Sequence, residues 1–224
     1  MGLCVTITPI KYIDPTGEIY VIAWSYGKYD IDAYKDSDGN VNWDKFTKEN
    51  SFARAAYTRR QELIDSGVPE SEIDMQRIDN IQDLKDTWNM WAGYENVEGL
   101  EIYSHGSSDG IIVAWSGEEN YLSNAQKLKW GSVLRNGKDG GFMTDPYAAF
   151  FGCGIALGDL PQNFANTQNV RTFAQIGSAS FSRDPNVHIK IKDKATTGKV
   201  YLRHFDVKNL YNTYGWGKKF TPAN

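Results

Sequence analysis

The apolar positions along this chain switch between two spacings, and the switch points outline its elements. Glu18–Ser25 (Glu-Ile-Tyr-Val-Ile-Ala-Trp-Ser) is an apolar, β-branched run that predicts a buried first strand. A polar stretch follows from Tyr26 to Asp44. Between Asn50 and Asp65, Phe52, Ala55, Ala56, Leu63 and Ile64 share one face at helical spacing, and Gly67 stands where a C-cap is needed. Ser71–Asp79 spaces Ile73, Met75 and Ile78 as a second strand. Ile81–Tyr94 then sets Ile81, Leu84, Trp88 and Trp91 at helical spacing with charges between them, an amphipathic helix.

The second half repeats the alternation. Leu100–Ser104 predicts a strand that ends at His105, and Ile111–Trp115 a hairpin strand after a Ser-Ser-Asp-Gly turn. Residues 120–145 contain a helical stretch, Asn124–Trp130, and then a Gly-rich loop. Ala148–Gly152 predicts the strand before Cys153, Leu160–Thr167 a helix opened by Pro161, and Arg171–Ile176 the next strand. An order of β-α-β-α-β-insertion-β-α-β implies an α/β fold, a mostly parallel sheet flanked by helices. His188–Ile191 and Lys199–Phe205, with a Thr-Thr-Gly turn between them, predict a C-terminal β-hairpin extension. Residues 18–224 are read as a single domain, with 188–224 its β-rich basic tail and 1–17 a junction segment.

Composition narrows the function classes. The apolar fraction of 41% is ordinary for a globular protein, and a net charge of -4 gives no general attraction to nucleic acid or acidic membranes. The start of the chain lacks the cationic region and cleavage site of a signal peptide, and the longest apolar stretch, Tyr147–Leu157, is too short to span a bilayer. Only Cys4 and Cys153 are present, so no disulfide framework is expected and Cys153 stays reduced.

Candidate chemistry then concentrates at two places. His105 and Cys153 each follow an apolar strand, each precede a glycine, and lie 48 residues apart. Ligand sites of open α/β sheets lie beyond the carboxyl ends of the strands. A thiol and an imidazole meeting there make a nucleophile and its base. A histidine satisfied in a loop and a cysteine packed in the core are the plainer alternatives. Glycines beside both residues let a substrate carbonyl approach backbone N–H groups, and the amides of Gly106 and Cys153 are the candidate oxyanion donors.

An apolar strand ending in His105-Gly106, then an apolar strand ending in Cys153 before a helix, resembles the caspase-like group of cysteine peptidases. The resemblance implies a doubly wound sheet with His and Cys at the ends of neighbouring strands. His105 would be the base, Cys153 the nucleophile and Gly106 an oxyanion donor. It implies a protein or peptide substrate and no metal or organic cofactor. The residues around the cysteine, Phe151-Gly152 before and Ile155 two after, differ from the Gln-Ala and Gly of caspases proper, so a preference for aspartate does not carry over.

Pro9-Ile10-Lys11-Tyr12-Ile13-Asp14-Pro15-Thr16-Gly17-Glu18 resembles the Asp-Pro-x-Gly segment that closes the core of RHS-repeat polymorphic toxins. That resemblance implies a bacterial effector, either a toxin acting in a target-cell cytoplasm with a cognate immunity protein as a partner, or a domain that processes its parent polypeptide. A chance Pro-Gly turn is the alternative.

Lesser candidates remain. Asp109 is close enough to His105 to orient it or to contact substrate, although a turn aspartate is the simpler reading. Asp145 and Asp159 flank the Cys motif and are candidates to line a pocket for a basic side chain. Asp36-Ser37-Asp38-Gly39-Asn40-Val41-Asn42 resembles half a calcium loop. With Gly39 at the sixth position, Tyr34 and Lys45 fall where an acid and a glutamate belong, so it is read as a solvated turn. From Val187 to Asn224 eight Lys or Arg stand against two Asp, with His188 and His204 and several aromatics among them. A metal-independent ribonuclease would use such residues, but a solubilising face on an edge hairpin is favoured. A non-catalytic binding module on a degenerate peptidase fold is the third class.

Overall fold

A computed structural model describes residues 19–25, 31–42, 45, 49–91, 94, 97–113, 121–123, 147–181, 190–191, 199–202 and 217–223. Its strands, in chain order, are β1 (Ile19–Ser25), β2 (Ile73–Ile78), β3 (Val97–Tyr103), β4 (His105–Ser107), β5 (Gly110–Ile112) and β6 (Tyr121–Ser123). They continue with β7 (Tyr147–Phe151), β8 (Arg171–Gln175), β9 (Ser178–Phe181), β10 (Lys190–Ile191), β11 (Lys199–Leu202) and β12 (Gly217–Phe220). The helices are α1 (Ser51–Asp65), α2 (Ile81–Trp91) and α3 (Leu160–Gln168).

Six strands form one sheet in the order β12-β8-β7-β3-β1-β2. Every pairing in it is parallel except that of the edge strand β12 with β8. The fold class is therefore α/β with a mostly parallel sheet, as the alternating pattern implies. The C-terminal hairpin is also present: β10 and β11 pair antiparallel, Lys190 opposite Tyr201 and Ile191 opposite Val200. The segment 1–17 and the helix expected at Asn124–Trp130 lie outside the described residues.

The pleat sorts side chains onto two covered faces. Val21, Ala23, Leu100, Ile102, Ala148, Phe150 and Ala174 pack on one side with Trp88 and Trp91 of α2 and Phe164 of α3. Phe164 meets Phe150 and Trp88 edge-on, with ring centroids 5.0 and 5.5 Å apart. Truncating a fully buried aromatic of this kind typically costs about 3–5 kcal/mol. Ile22, Trp24, Tyr103, Phe151 and Phe173 pack on the other side beneath Phe52, Ala56 and Leu63 of α1. Parallel strands covered on both faces read as continuous apolar runs, which is why β1, β3 and β7 are legible as such.

Helix α1 has firm ends. The Asn50 side-chain oxygen accepts from the N–H groups of Phe52 and Ala53 at 2.9 Å, an N-cap with no exposed surface. At the other end Gly67 adopts φ +100°, and the N–H groups of Gly67 and Val68 donate to the carbonyls of Ile64 and Leu63. These two bonds are the Schellman pattern that a left-handed glycine permits.

A buried polar cluster fastens α1 to the sheet. Glu101 of β3 accepts from Arg59 Nε at 2.8 Å, from the Tyr147 hydroxyl at 2.5 Å and from the Tyr103 hydroxyl at 2.6 Å. Arg59 Nη2 also reaches the Tyr147 hydroxyl at 3.2 Å. Burial works against the Arg59 charge, but Glu101, with Tyr147 and Tyr103 behind it, outweighs burial and keeps the guanidinium protonated well above its ordinary range. Burial, then Glu101, pushes both tyrosine hydroxyls well above theirs. The Tyr147 ring lies over Gly99, where a Cβ would come within 2.8 Å of it.

Candidate functional site

Strands β3 and β7 are direct neighbours, and their register ends with Tyr103 opposite Phe151. The Ser104 N–H donates to the Phe151 carbonyl at 3.2 Å, closing that ladder. The register offset is 48 residues, the same number that separates the two motifs. Counting on by it sets His105 opposite Cys153. On the other side β7 and β8 run with Phe150 opposite Ala174, which sets Cys153 opposite Gly177. The Gly154 N–H donates to the Gly177 carbonyl at 3.0 Å, the bond such a pair makes. The ladders themselves end at Tyr103–Phe151 and Phe150–Ala174, so His105 and Cys153 each follow two residues beyond the last pair of β3 with β7, at the carboxyl edge of the sheet.

The chain segments carrying His105 and Cys153 stay in contact past the ladder, and glycine makes that possible. A Cβ on Gly152 would stand 2.7 Å from Ile155 Cδ1, 3.0 Å from the Ser104 carbonyl oxygen and 3.2 Å from the Gly106 nitrogen. A Cβ on Gly106 would stand 2.5 Å from the Ile155 side chain and 3.2 Å from the Cys153 carbonyl oxygen. Gly154, at φ +67°, turns the chain into a short 3-10 turn, Ile155–Leu157. Gly152→Ala is therefore expected to destabilise the fold by about 1–3 kcal/mol, because backbone must move to admit the methyl group. Urea denaturation checks this; an unchanged midpoint would mean that the two segments are not packed as described.

His105 is the first residue of a hairpin rather than a free strand end: β4 pairs with β5, His105 opposite Ile112 and Ser107 opposite Gly110. Sequence reasoning placed that hairpin only at Ile111. The loop between the strands holds Ser108 and Asp109 alone, so Ser107 and Gly110 are its hydrogen-bonded pair and Gly106 and Ile111 are not. The Gly106 amide consequently faces away from β5, on the side where Gly152 passes. The His105 ring meets Phe52 of α1 edge-on, centroids 4.8 Å apart and planes at 81°. The capped end of α1 thus sets the tilt of the imidazole.

His105, Gly106 and Cys153 are all half-buried, and the Cys153 thiol is reduced. Two apolar side chains lie at the rim: Leu157, two-thirds exposed after the Cys153 turn, and Ile176 at the end of β8. The remaining candidates are dispersed. Asp109 sits on the exposed hairpin turn, where its N–H donates to Ser107 Oγ at 3.0 Å. Asp159 is the exposed N-cap residue of α3, and its carbonyl accepts the Asn163 N–H. Asp145, His188 and His204 lie outside the described residues. Lys218 and Lys219 are exposed on the edge strand β12, where lysines discourage strand addition.

No group of His, Cys, Asp or Glu suited to a metal ion occurs among the described residues. The Asp36 turn is the solvated turn expected. Asp36 Oδ1 accepts the N–H groups of Asp38 and Asn40 at 2.9 Å, and Gly39 takes φ +82°. No described helix is long and apolar enough to cross a membrane. One buried polar residue of this edge escaped sequence reasoning: Gln175, the last residue of β8, has no exposed surface. Its signal is a polar residue at the end of a short strand just before Ile176-Gly177, a weaker form of the pattern at His105 and Cys153. Comparison with protein-family models, with curated proteins and with solved structures finds no significant match for this chain.

Proposed function

We propose that this chain is a cysteine peptidase of the caspase-like kind, in which Cys153 and His105 hydrolyse peptide bonds. The observation that carries the proposal is that β3 and β7 are paired neighbours whose register runs to Tyr103–Phe151, two residues before His105 and Cys153. Neighbouring parallel strands lie about 4.8 Å apart, a spacing a thiol and an imidazole readily bridge. In the reaction His105 accepts the Cys153 proton and the sulfur attacks the scissile carbonyl carbon. The C–N bond breaks, His105 returns the proton to the leaving amine, and a thioester remains. Water then attacks the thioester, giving its proton to His105, and the thiol is regenerated as the acid leaves. The Gly106 and Cys153 amides hold the oxyanion in both halves.

On the same reading, the Pro9–Glu18 segment makes the domain a C-terminal bacterial effector delivered into a target cell. An immunity protein restrains the domain in the producing cell.

Thiol labelling tests the dyad before any substrate is known. At about pH 6.5, iodoacetamide is expected to alkylate Cys153 at least about tenfold faster than the thiols of the urea-unfolded chain. His105→Ala is expected to abolish that advantage. Equal rates in folded and unfolded chains would remove the peptidase reading and leave a binding module.

A further inference from the structure

We infer that Gln175 determines the specificity of this site, and that its carboxamide receives the carboxamide of a substrate asparagine or glutamine. The inference rests on the peptidase reading of Cys153 and His105.

Gln175 belongs to the face of the sheet that α1 covers. Phe173, two residues earlier, packs there with Phe52 and Tyr103, and side chains two apart on a strand share a face. The register sets Gln175 beside Phe151, whose ring stacks on Tyr103 with centroids 4.8 Å apart. Two residues beyond Phe151 comes Cys153, and two beyond Gln175 comes Gly177, whose carbonyl accepts the Gly154 N–H at 3.0 Å. Gln175 is thus one pleat, about 6–7 Å along the strand, from the level of the thiol.

Its surroundings leave the amide unused. Gln175 has no exposed surface, and neither Oε1 nor Nε2 has a hydrogen-bond partner. The partner position on β12 is Gly217, and the next position of its own face is Gly177, so neither neighbour supplies a side chain. A buried amide with both ends unsatisfied is unfavourable, and native proteins rarely keep one without a use.

The pair of vacant atoms defines the ligand. Oε1 needs a donor and Nε2 needs an acceptor, at the same time and in one plane. A carboxylate only accepts, whereas ammonium and guanidinium groups only donate. A second carboxamide supplies both and closes two antiparallel hydrogen bonds. The substrate residue that donates the scissile carbonyl is the one bonded to Cys153 during the reaction. Its side chain therefore starts about one pleat from Gln175, within reach of asparagine or glutamine. Because Gln175 is covered here, the carboxamide reaches it only as the covering segments part, and the two bonds gained favour that opening for the matching substrate alone.

The test uses the full chain and a set of peptidyl chloromethyl ketones that differ only in the residue carrying the ketone: Gln, Asn, Glu, Lys or Leu. Each forms a thioether at Cys153 with loss of chloride, and mass spectrometry reads the rate. Inactivation by the Gln or Asn reagent is expected to be at least about 30-fold faster than by the Leu reagent. Gln175→Leu should reduce that ratio to within about threefold. The same substitution removes two unsatisfied buried atoms, so its melting temperature should not fall. A wild-type protein without carboxamide preference, or a preference that survives in Gln175→Leu, overturns the inference while fast iodoacetamide labelling leaves the peptidase reading standing. Slow iodoacetamide labelling of the wild type overturns both.

Discussion

Cys153→Ala is expected to lower peptide hydrolysis on the order of 10⁴-fold or more, with the fold intact. The size follows from what the sulfur does. On the proposed mechanism it forms the bond that replaces the scissile amide, and no other described side chain at this edge offers a nucleophile beside His105. Cys153 is half-buried and lies outside the packed rows, so the lost thiol costs the fold little. His105→Ala should lose a comparable factor, and the double variant little more, because residues that act as one unit are not additive. Matched kcat/KM values for the four proteins, on a peptide the wild type cleaves, supply the measurement. Near-wild-type turnover by Cys153→Ala would sink the mechanism. Additive losses would show two residues that act separately.

How far the sequence reveals this site depends on which physical signal each part leaves. Strands β1, β3 and β7 are buried on both faces, so each leaves a largely apolar run, and the helices between them leave periodic stripes. Those signals suffice to bring His105 and Cys153 to the same edge. The register does not appear in any local pattern, because it is set by pairing between strands far apart in the chain. Strand β12 left no signal either: Gly217-Lys218-Lys219-Phe220 owes its place to backbone bonds with β8, not to an apolar pattern. Glu101 and Gln175 were hidden for another reason. Each is a polar residue in a buried strand with no local pattern to mark it, and only the partners around Glu101, or the lack of them around Gln175, give it meaning.

Glu101→Leu is expected to cost about 3–5 kcal/mol, the usual penalty for breaking a buried ion pair from one side. The side chain of Glu101 is 2% exposed and that of Arg59 14%, so water cannot take over the lost bond. The tyrosines suffer as well, since Tyr103 and Tyr147 both donate to this carboxylate. Most single domains hold only about 5–15 kcal/mol in total, so the variant should be marginal at room temperature. Replacing the other members, by Arg59→Met, Tyr103→Phe and Tyr147→Phe, should recover much of the loss, because an apolar cluster leaves nothing unpaired. The cluster also sets the alkaline limit. Both tyrosine hydroxyls keep their protons in the fold to well above their ordinary pKa. Beyond about pH 10 the unfolded chain releases protons that the folded one retains. Stability is thus fully present below pH 10 and falls above it, by about 1.4 kcal/mol per pH unit for each such tyrosine. Tyr103→Phe should reduce that slope by one proton's worth. Urea denaturation at neutral pH and between pH 9 and 11 measures both effects; a Glu101→Leu protein within about 1 kcal/mol of wild type would show that the cluster does not hold α1 to the sheet.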